Sequence, residues 1–154
     1  MIPDMLGKIR VNYDNKKIYY HGPAIHSVVF EDEFARISPY FYLGILNSKL
    51  FWFFITNTST ALQRNTYRLT PEFLNPFCFP EINTNNKKTY EKLVNNVELI
   101  FQLHKKFFGV EDHDLDQNDQ LIKEIEILDE QIDELVYKLY NITEEEKKII
   151  ESSV

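Results

Sequence analysis

Apolar residues in the C-terminal third of the chain recur at alternating steps of four and three positions. This spacing predicts a long helix with the 3.5-residue repeat of a coiled coil, and the series comprises Leu121, Ile125, Leu128, Ile132, Leu135 and Leu139. An earlier series ends at Gly109, a residue type that favours helix C-termini, and comprises Leu93, Asn96, Ile100, Leu103 and Phe107. Because a short acidic loop joins the two series, we expect an antiparallel helical hairpin.

The end of the second predicted helix carries a stop signal followed by a start signal. Asn141 stands where a left-handed residue commonly closes a helix. Thr143 and Glu146 have the spacing of a capping box, in which each side chain binds the backbone of the other residue. These residues predict a short C-terminal helix that follows the hairpin.

The first half of the chain alternates between strand-like and helix-like patterns. KIRVNY and KIYY, joined around Asp14 and Asn15, predict a β-hairpin, and AIHSVVF predicts a third strand. Ser38 followed by Pro39 is typical of a helix start, and the apolar run that follows predicts one central buried helix to about Ile55.

A further strand is predicted from Arg64 to Thr70, followed by a short helix that starts at Pro71. We therefore expect an α+β fold, in which a small sheet and a central buried helix precede an antiparallel, coiled-coil-like hairpin. The expected division is a body of residues 1–84 and a helical segment of residues 85–154.

Composition indicates a folded, non-membrane protein of a reducing compartment. The chain has 154 residues and one cysteine, Cys78, which excludes an internal disulfide and fits the cytoplasm. Its most apolar run covers sixteen residues and is interrupted by Asn47, Ser48 and Lys49, whereas a bilayer span needs about 20 apolar residues. The N-terminus has no apolar signal-peptide core.

The net charge of −7 is unevenly distributed along the chain. Residues 1–80 hold eight Lys/Arg and six Asp/Glu, a net charge of +2, whereas residues 81–154 hold nine Lys/Arg and eighteen Asp/Glu, a net charge of −9. Since phosphate repels a strongly acidic surface, only the first half is suited to approach DNA.

No metal site is predicted. The spacing of Asp112, Asp114 and Asp116 matches the start of a calcium-binding EF-hand loop, which also needs glycine at its sixth position and glutamate at its twelfth. Gln117 and Lys123 occupy those positions. A solvated acidic turn is the better interpretation.

No catalytic residue is predicted either. Cys78 lies between Phe77 and Phe79, where we expect a buried, inert thiol. The chain has no G-x-S-x-G motif, no Walker loop and no G-x-G-x-x-G motif. Whether the chain is part of an enzyme stays open at this point.

Nucleic-acid binding has support in the residues of the fourth predicted strand and of the hairpin. Arginine binds guanine or phosphate, asparagine binds adenine, tyrosine stacks on bases, and lysine adds positive charge. The candidate DNA-binding residues are Arg64, Asn65, Tyr67, Arg68, Lys8, Arg10, Lys16 and Lys17. The alternative is an ordinary strand edge whose polar side chains face solvent.

Three separated blocks together resemble a known family. They are GILNSKLF (residues 44–51), residues 74–82 and residues 132–143. In this order, they resemble the C-terminal target recognition domain of type IIG restriction-modification enzymes, the TaqI-like specificity domain. The chain departs from the family at residues 63–66, where glycines are usual, and at Cys78, where proline is common.

The resemblance implies a sequence-specific DNA recognition module of a restriction-modification enzyme. Its partners would be double-stranded DNA and the methyltransferase and endonuclease domains of a parent adenine-N6 methyltransferase, which uses S-adenosylmethionine and Mg²⁺. The chain lacks the Asn/Asp-Pro-Pro-Tyr motif of such methyltransferases, so we expect no cofactor in this chain. The alternative function is a protein–protein interaction module that acts through the coiled-coil hairpin.

Overall fold

The computed structural model describes residues 2–3, 5–6, 11–14, 25–27, 36–62, 66–109 and 115–153. These residues are mostly helical. The helices are α1 (Pro39–Leu46), α2 (Lys49–Thr58), α3 (Pro71–Leu74), α4 (Lys87–Gly109), α5 (Leu115–Tyr140) and α6 (Glu144–Ser152). The strands are β1 (Ile2–Pro3), β2 (Met5–Leu6), β3 (Ile25–His26) and β4 (Tyr67–Arg68).

The β structure of the described residues consists of two short antiparallel pairs, β1 with β3 and β2 with β4. The α+β prediction is therefore confirmed in part, because the helices are present but the described residues do not confirm the expected small sheet. Of the predicted third and fourth strands, the described residues form the two-residue strands β3 and β4, while residues 24, 28–30 and 64–65 lie outside the described part of the chain. Most of the predicted hairpin lies outside the described residues, and residues 11–14 are irregular.

The prediction of one continuous central helix is wrong, because the chain breaks between α1 and α2. Ser48 is buried and caps α2: its hydroxyl accepts a hydrogen bond from the Phe51 N–H and donates one to the Ile45 carbonyl. Such local side-chain bonds compete with helix continuation. Both helices are nevertheless buried as expected, since Phe41, Ile45, Phe51 and Ile55 are fully enclosed.

The predicted helical hairpin is present as α4 and α5. The two helices share the largest contact between any two described elements, and the Asn96 amide donates a hydrogen bond to Gln131 Oε1 at 3.1 Å. Because five residues connect helices that pack side by side, the two run antiparallel. Leu128, Ile132 and Leu139 of the predicted seam are buried. A coiled-coil supercoil stays a prediction.

Two hydrophobic clusters form the core of the described residues. The first joins α2 to residues around β4 and includes Val11 and Leu69. The second joins α1 to α4 and α5, and the helices approach closely at Gly44, which faces Leu93 and Val97 of α4. The core thus draws on both halves of the sequence. The division at residue 84 stays a prediction.

The local signals at the end of α5 are confirmed. Asn141 has a φ of 55°, the left-handed geometry that closes a helix. The Thr143 hydroxyl accepts a hydrogen bond from the Glu146 N–H, and the Glu146 carboxylate accepts one from the Thr143 N–H at 2.8 Å. This capping box lowers the pKa of Glu146, chiefly through the bond from the Thr143 backbone.

Candidate nucleic-acid interface

β4 is held on both edges by backbone pairing. On one edge it pairs with β2, with Met5 opposite Arg68 and Leu6 opposite Tyr67. On the other edge, Tyr67 bridges to Ala61 and the Arg68 N–H donates to the Thr60 carbonyl at 3.4 Å. A two-residue strand gains a fixed position from these two neighbours.

The connection from α2 to β4 is closed at its base by further hydrogen bonds. The Leu62 N–H donates to the Thr66 carbonyl at 2.7 Å, and the Ser59 hydroxyl donates to the Arg68 carbonyl at 2.6 Å. Arg64 and Asn65 belong to the three residues between Leu62 and Thr66, which lie outside the described residues.

Side chains along β4 alternate between core and solvent. Leu69 is fully buried, and the Tyr67 ring packs edge-on against Trp52, with 5.4 Å between ring centroids. Arg68 lies between them in sequence and is exposed, as expected because successive side chains of a strand point to opposite faces. The chain therefore presents the Arg68 guanidinium to solvent from a fixed backbone.

Of the predicted DNA-binding residues, Tyr67 and Arg68 lie in the described part of the chain. The Arg68 side chain is exposed, whereas the Tyr67 ring is half-buried and packs against Trp52. A base-stacking role for Tyr67 stays a prediction. The other predicted residues lie outside the described part of the chain and are Arg64, Asn65, Lys8, Arg10, Lys16 and Lys17.

The opposite end of α2 is anchored to the acidic hairpin. Asp133 of α5 is buried, and its carboxylate accepts a hydrogen bond from the Lys49 N–H at 2.8 Å and lies 3.4 Å from Lys49 Nζ. Burial raises the pKa of Asp133 above its ordinary value, although the Lys49 contacts oppose that shift. Since α2 has ten residues, about 15 Å separate this acidic contact from the β4 end.

Two residues that anchor the ends of α1 and α2, Asn47 and Asp133, have no sequence pattern that indicates this role. Asn47 was visible as an interruption of an apolar run, but its bonds to the distant Val11 were not. Asp133 follows Ile132 of the heptad series, and its position in the sequence is that of an ordinary solvent-exposed helical carboxylate. Only a packed neighbour, the start of α2, gives it a role.

The expectation that Cys78 is buried is wrong, because its side chain is exposed. The Cys78 carbonyl accepts a hydrogen bond from the Tyr140 hydroxyl at 2.9 Å, so the backbone rather than the thiol attaches this segment to α5. Burial raises the pKa of Tyr140.

The described part of the chain contains neither a metal-ligand cluster nor a membrane-spanning helix. No group of three or more His, Cys, Asp or Glu side chains there is arranged to hold a metal ion. None of the described helices is both long and apolar enough to cross a membrane.

Arg68 is exposed on a paired strand, within the half of the chain that has a net charge of +2, a placement from which an arginine can contact phosphate or a base edge. The model of the TaqI-like C-terminal specificity domain family matches residues 1–78, half of the chain. The chain belongs to this family, and its membership suggests a DNA sequence-recognition module of restriction-modification enzymes. No curated protein and no solved structure matches the chain.

Proposed function

We propose that this chain binds double-stranded DNA through β4 and the neighbouring connections, and supplies sequence specificity to a type IIG restriction-modification enzyme. The observation that carries the proposal is the placement of Arg68. It is exposed, it lies on a strand paired on both edges, and it falls within the segment matched by the specificity-domain family.

The backbone of β4 is paired on both edges, which supports recognition of a base as well as of phosphate. Arginine distinguishes guanine by two parallel hydrogen bonds in the major groove, which requires that the guanidinium approach at a defined angle. The backbone of Arg68 pairs with Met5 and bonds to Ser59 and Thr60, which fixes the point from which its side chain extends.

The acidic half supports the same orientation of the domain on DNA. The Lys49–Asp133 contact fixes the start of α2 to α5, which belongs to the segment with a net charge of −9. Phosphate repels this segment, so we place DNA at the other end of α2, beside Arg68.

In this proposal, adenine-N6 methylation and cleavage are carried out by other domains of the parent protein. S-adenosylmethionine would supply the methyl group and Mg²⁺ would assist cleavage in those domains. We assign to this chain the binding and orientation of DNA.

Fluorescence anisotropy of a labelled random-sequence duplex pool, measured in a salt series, tests the proposal. We expect salt-sensitive binding that the double variant Arg64→Ala/Arg68→Ala weakens. The matched control, Lys138→Ala/Lys148→Ala, removes the same charge from exposed positions of the acidic half and should have a smaller effect. Equal weakening by both variants, or no binding by folded protein at about 100 μM, which is the weak end of non-specific affinities, contradicts the proposal.

The alternative function, protein–protein interaction through the hairpin, is favoured by exposed apolar side chains. Leu99 of α4 is 40% exposed and Ile122 of α5 is 42% exposed. Light scattering over a concentration series tests this function. Self-association that Ile122→Lys abolishes, in a chain with no affinity for DNA, would support it over DNA recognition.

A further inference from the structure

Thr60 lies directly opposite Arg68 in the short ladder that joins the end of α2 to β4. The bridge between Ala61 and Tyr67 is antiparallel, so the residue before Ala61 is opposite the residue after Tyr67. The Arg68 N–H donates to the Thr60 carbonyl at 3.4 Å, as this register requires. Opposite residues of an antiparallel pair have Cβ atoms about 4.5–5.5 Å apart. Thr60 is therefore the cross-strand neighbour of Arg68.

Thr60 and Arg68 also direct their side chains to the same face of this ladder. Opposite residues of an antiparallel pair point to one face, and successive residues of a strand alternate between faces. Both side chains are exposed, whereas Leu69, which follows Arg68, is fully buried. A surface that approaches the Arg68 guanidinium therefore also meets the Thr60 hydroxyl.

The Thr60 hydroxyl differs from the hydroxyl groups that precede it in how its hydrogen is used. Three earlier hydroxyls each donate to a backbone carbonyl, and they belong to Thr56, Thr58 and Ser59. In the described part of the chain, no group accepts a hydrogen bond from the Thr60 hydroxyl. Since a hydroxyl has one donor hydrogen, Thr60 can donate to an acceptor outside the chain.

The charge of this segment favours an anionic acceptor. Residues 56–70 contain two arginines, Arg64 and Arg68, and no aspartate or glutamate. Threonine hydroxyls are among the groups that donate to phosphate oxygens of DNA, and such contacts fix the register of a protein on the duplex. A phosphate of the duplex therefore suits both the charge of the segment and the donor of Thr60.

The different lengths of the two side chains separate their roles. A threonine hydroxyl lies close to its own backbone, whereas an extended guanidinium lies far from it. Since the major groove is about 8.5 Å deep, a long side chain can reach a base edge, while a short one on the same face stays near the phosphates that border the groove. Thr60 is thus placed for a phosphate contact and Arg68 for a base contact.

We propose that the Thr60 hydroxyl donates a hydrogen bond to a phosphate oxygen beside the base that Arg68 contacts. This inference rests on the proposed function, because it assigns a second contact residue to the same DNA-binding surface. The contact holds the duplex at one position against β4, and so determines which base edge the guanidinium meets.

Thr60→Val tests this contact, because valine keeps the branched shape of the side chain and removes the hydroxyl. On a duplex that the parent chain selects from a random-sequence pool, anisotropy should show about tenfold weaker binding, the loss of one hydrogen bond to a charged group. Thr60→Ser keeps the hydroxyl and should stay within about twofold of the parent chain. The matched control, Thr58→Val, removes an exposed hydroxyl that already donates to the Phe54 carbonyl and should retain the affinity.

Two further readouts distinguish a phosphate contact from a general disturbance of the strand. A neutral hydroxyl releases no counterion, so Thr60→Val should leave the slope of log affinity against log salt unchanged. Methylphosphonate, which replaces one charged phosphate oxygen by a methyl group, is introduced at each position of the selected duplex in turn. At one position the effect of Thr60→Val should fall from about tenfold to about twofold, because the acceptor has been weakened.

Arg68→Ala separates failure of this inference from failure of the proposed function. If Arg68→Ala weakens binding and Thr60→Val does not, DNA recognition stands and the Thr60 contact is overturned. Equal weakening by Thr60→Val and Thr58→Val, or a Thr60→Val effect that persists at every methylphosphonate position, also overturns the contact. A loss confined to the selected duplex would assign Thr60 to a base and overturn the phosphate contact. Absence of binding by the folded parent chain at about 100 μM would overturn the proposed function and this inference together.

Discussion

The side-chain amide of Asn47 binds both backbone groups of Val11. The Val11 N–H donates to Asn47 Oδ1 at 2.9 Å, and Asn47 Nδ2 donates to the Val11 carbonyl at 3.1 Å and to the Leu43 carbonyl at 2.9 Å. An amide side chain thus pairs with both backbone groups of Val11, a residue of the first predicted strand. It also connects the break between α1 and α2 to the segment that follows Lys8 and Arg10.

Asn47→Ala should lower the free energy of unfolding by about 1–3 kcal/mol, because both backbone groups of the buried Val11 lose their partner. Urea denaturation measures this change. The control is Asn57→Ala, since Asn57 is exposed and, among the described residues, its amide binds the nearby Phe53 carbonyl and Thr56 hydroxyl. That variant should stay within about 0.5 kcal/mol of the parent chain. Equal losses would mean that the Val11 contact does not stabilise the fold.

Asp133 should make the stability of the chain depend on pH. Burial raises its pKa above the ordinary 3.8, so the folded state binds more protons than the unfolded state between 3.8 and the raised value. The contribution of Asp133 is therefore fully present below pH 3.8 and is lost as the pH rises through the raised pKa.

Asp133→Asn keeps an oxygen that can accept from the Lys49 N–H but does not titrate. Relative to this variant, the parent chain should lose stability as the pH rises from below 3.8 toward 7. Urea denaturation of both proteins across this range measures the difference. A parent chain that instead gains stability over the variant would show that the attraction of Lys49 outweighs burial.

Gly44→Ala should destabilise the contact between α1 and α4. An added Cβ would lie 2.7 Å from Val97 Cγ2 and 3.1 Å from Leu93 Cδ1, and a β-branched valine in a helix has few alternative rotamers. Overpacking costs about 1–3 kcal/mol, which exceeds the gain of up to about 1 kcal/mol from helix propensity.

The double variant Gly44→Ala/Val97→Ala tests the cause of this loss. If the clash with Val97 is responsible, the double variant should be more stable than the sum of the two single changes predicts. Strictly additive changes in the free energy of unfolding would place the cause elsewhere.

Arg68→Ala should show whether the exposed arginine recognises a base or a phosphate. If Arg68 binds a base, the variant should lose about 1–3 kcal/mol on a duplex selected by the parent chain, and less on unrelated duplexes. Equal weakening on every duplex, with a shallower salt dependence, would indicate a phosphate contact. Arg68→Lys retains the charge and should keep a phosphate contact better than a bidentate base contact.

The sequence by itself determined the helical elements whose signals are local. Asn141 adopts the left-handed conformation, and Thr143 with Glu146 starts α6, each as predicted. These signals work within one or two turns, since they depend on backbone groups that the same few residues satisfy. The resemblance to the specificity domain is confirmed over residues 1–78, which contain the block 44–51 and the start of the block 74–82; the block 132–143 lies outside the match.

Only the tertiary structure decided how the remaining polar residues are used. The apolar run between Ser38 and Thr58 is compatible with one helix. The break between α1 and α2 lies where Asn47 hydrogen-bonds Val11 and Asp133 hydrogen-bonds Lys49. Their partners lie 36 and 84 residues away in sequence. Because a hydrogen bond of this kind depends on which surfaces pack together, periodicity and propensity carry no information about it.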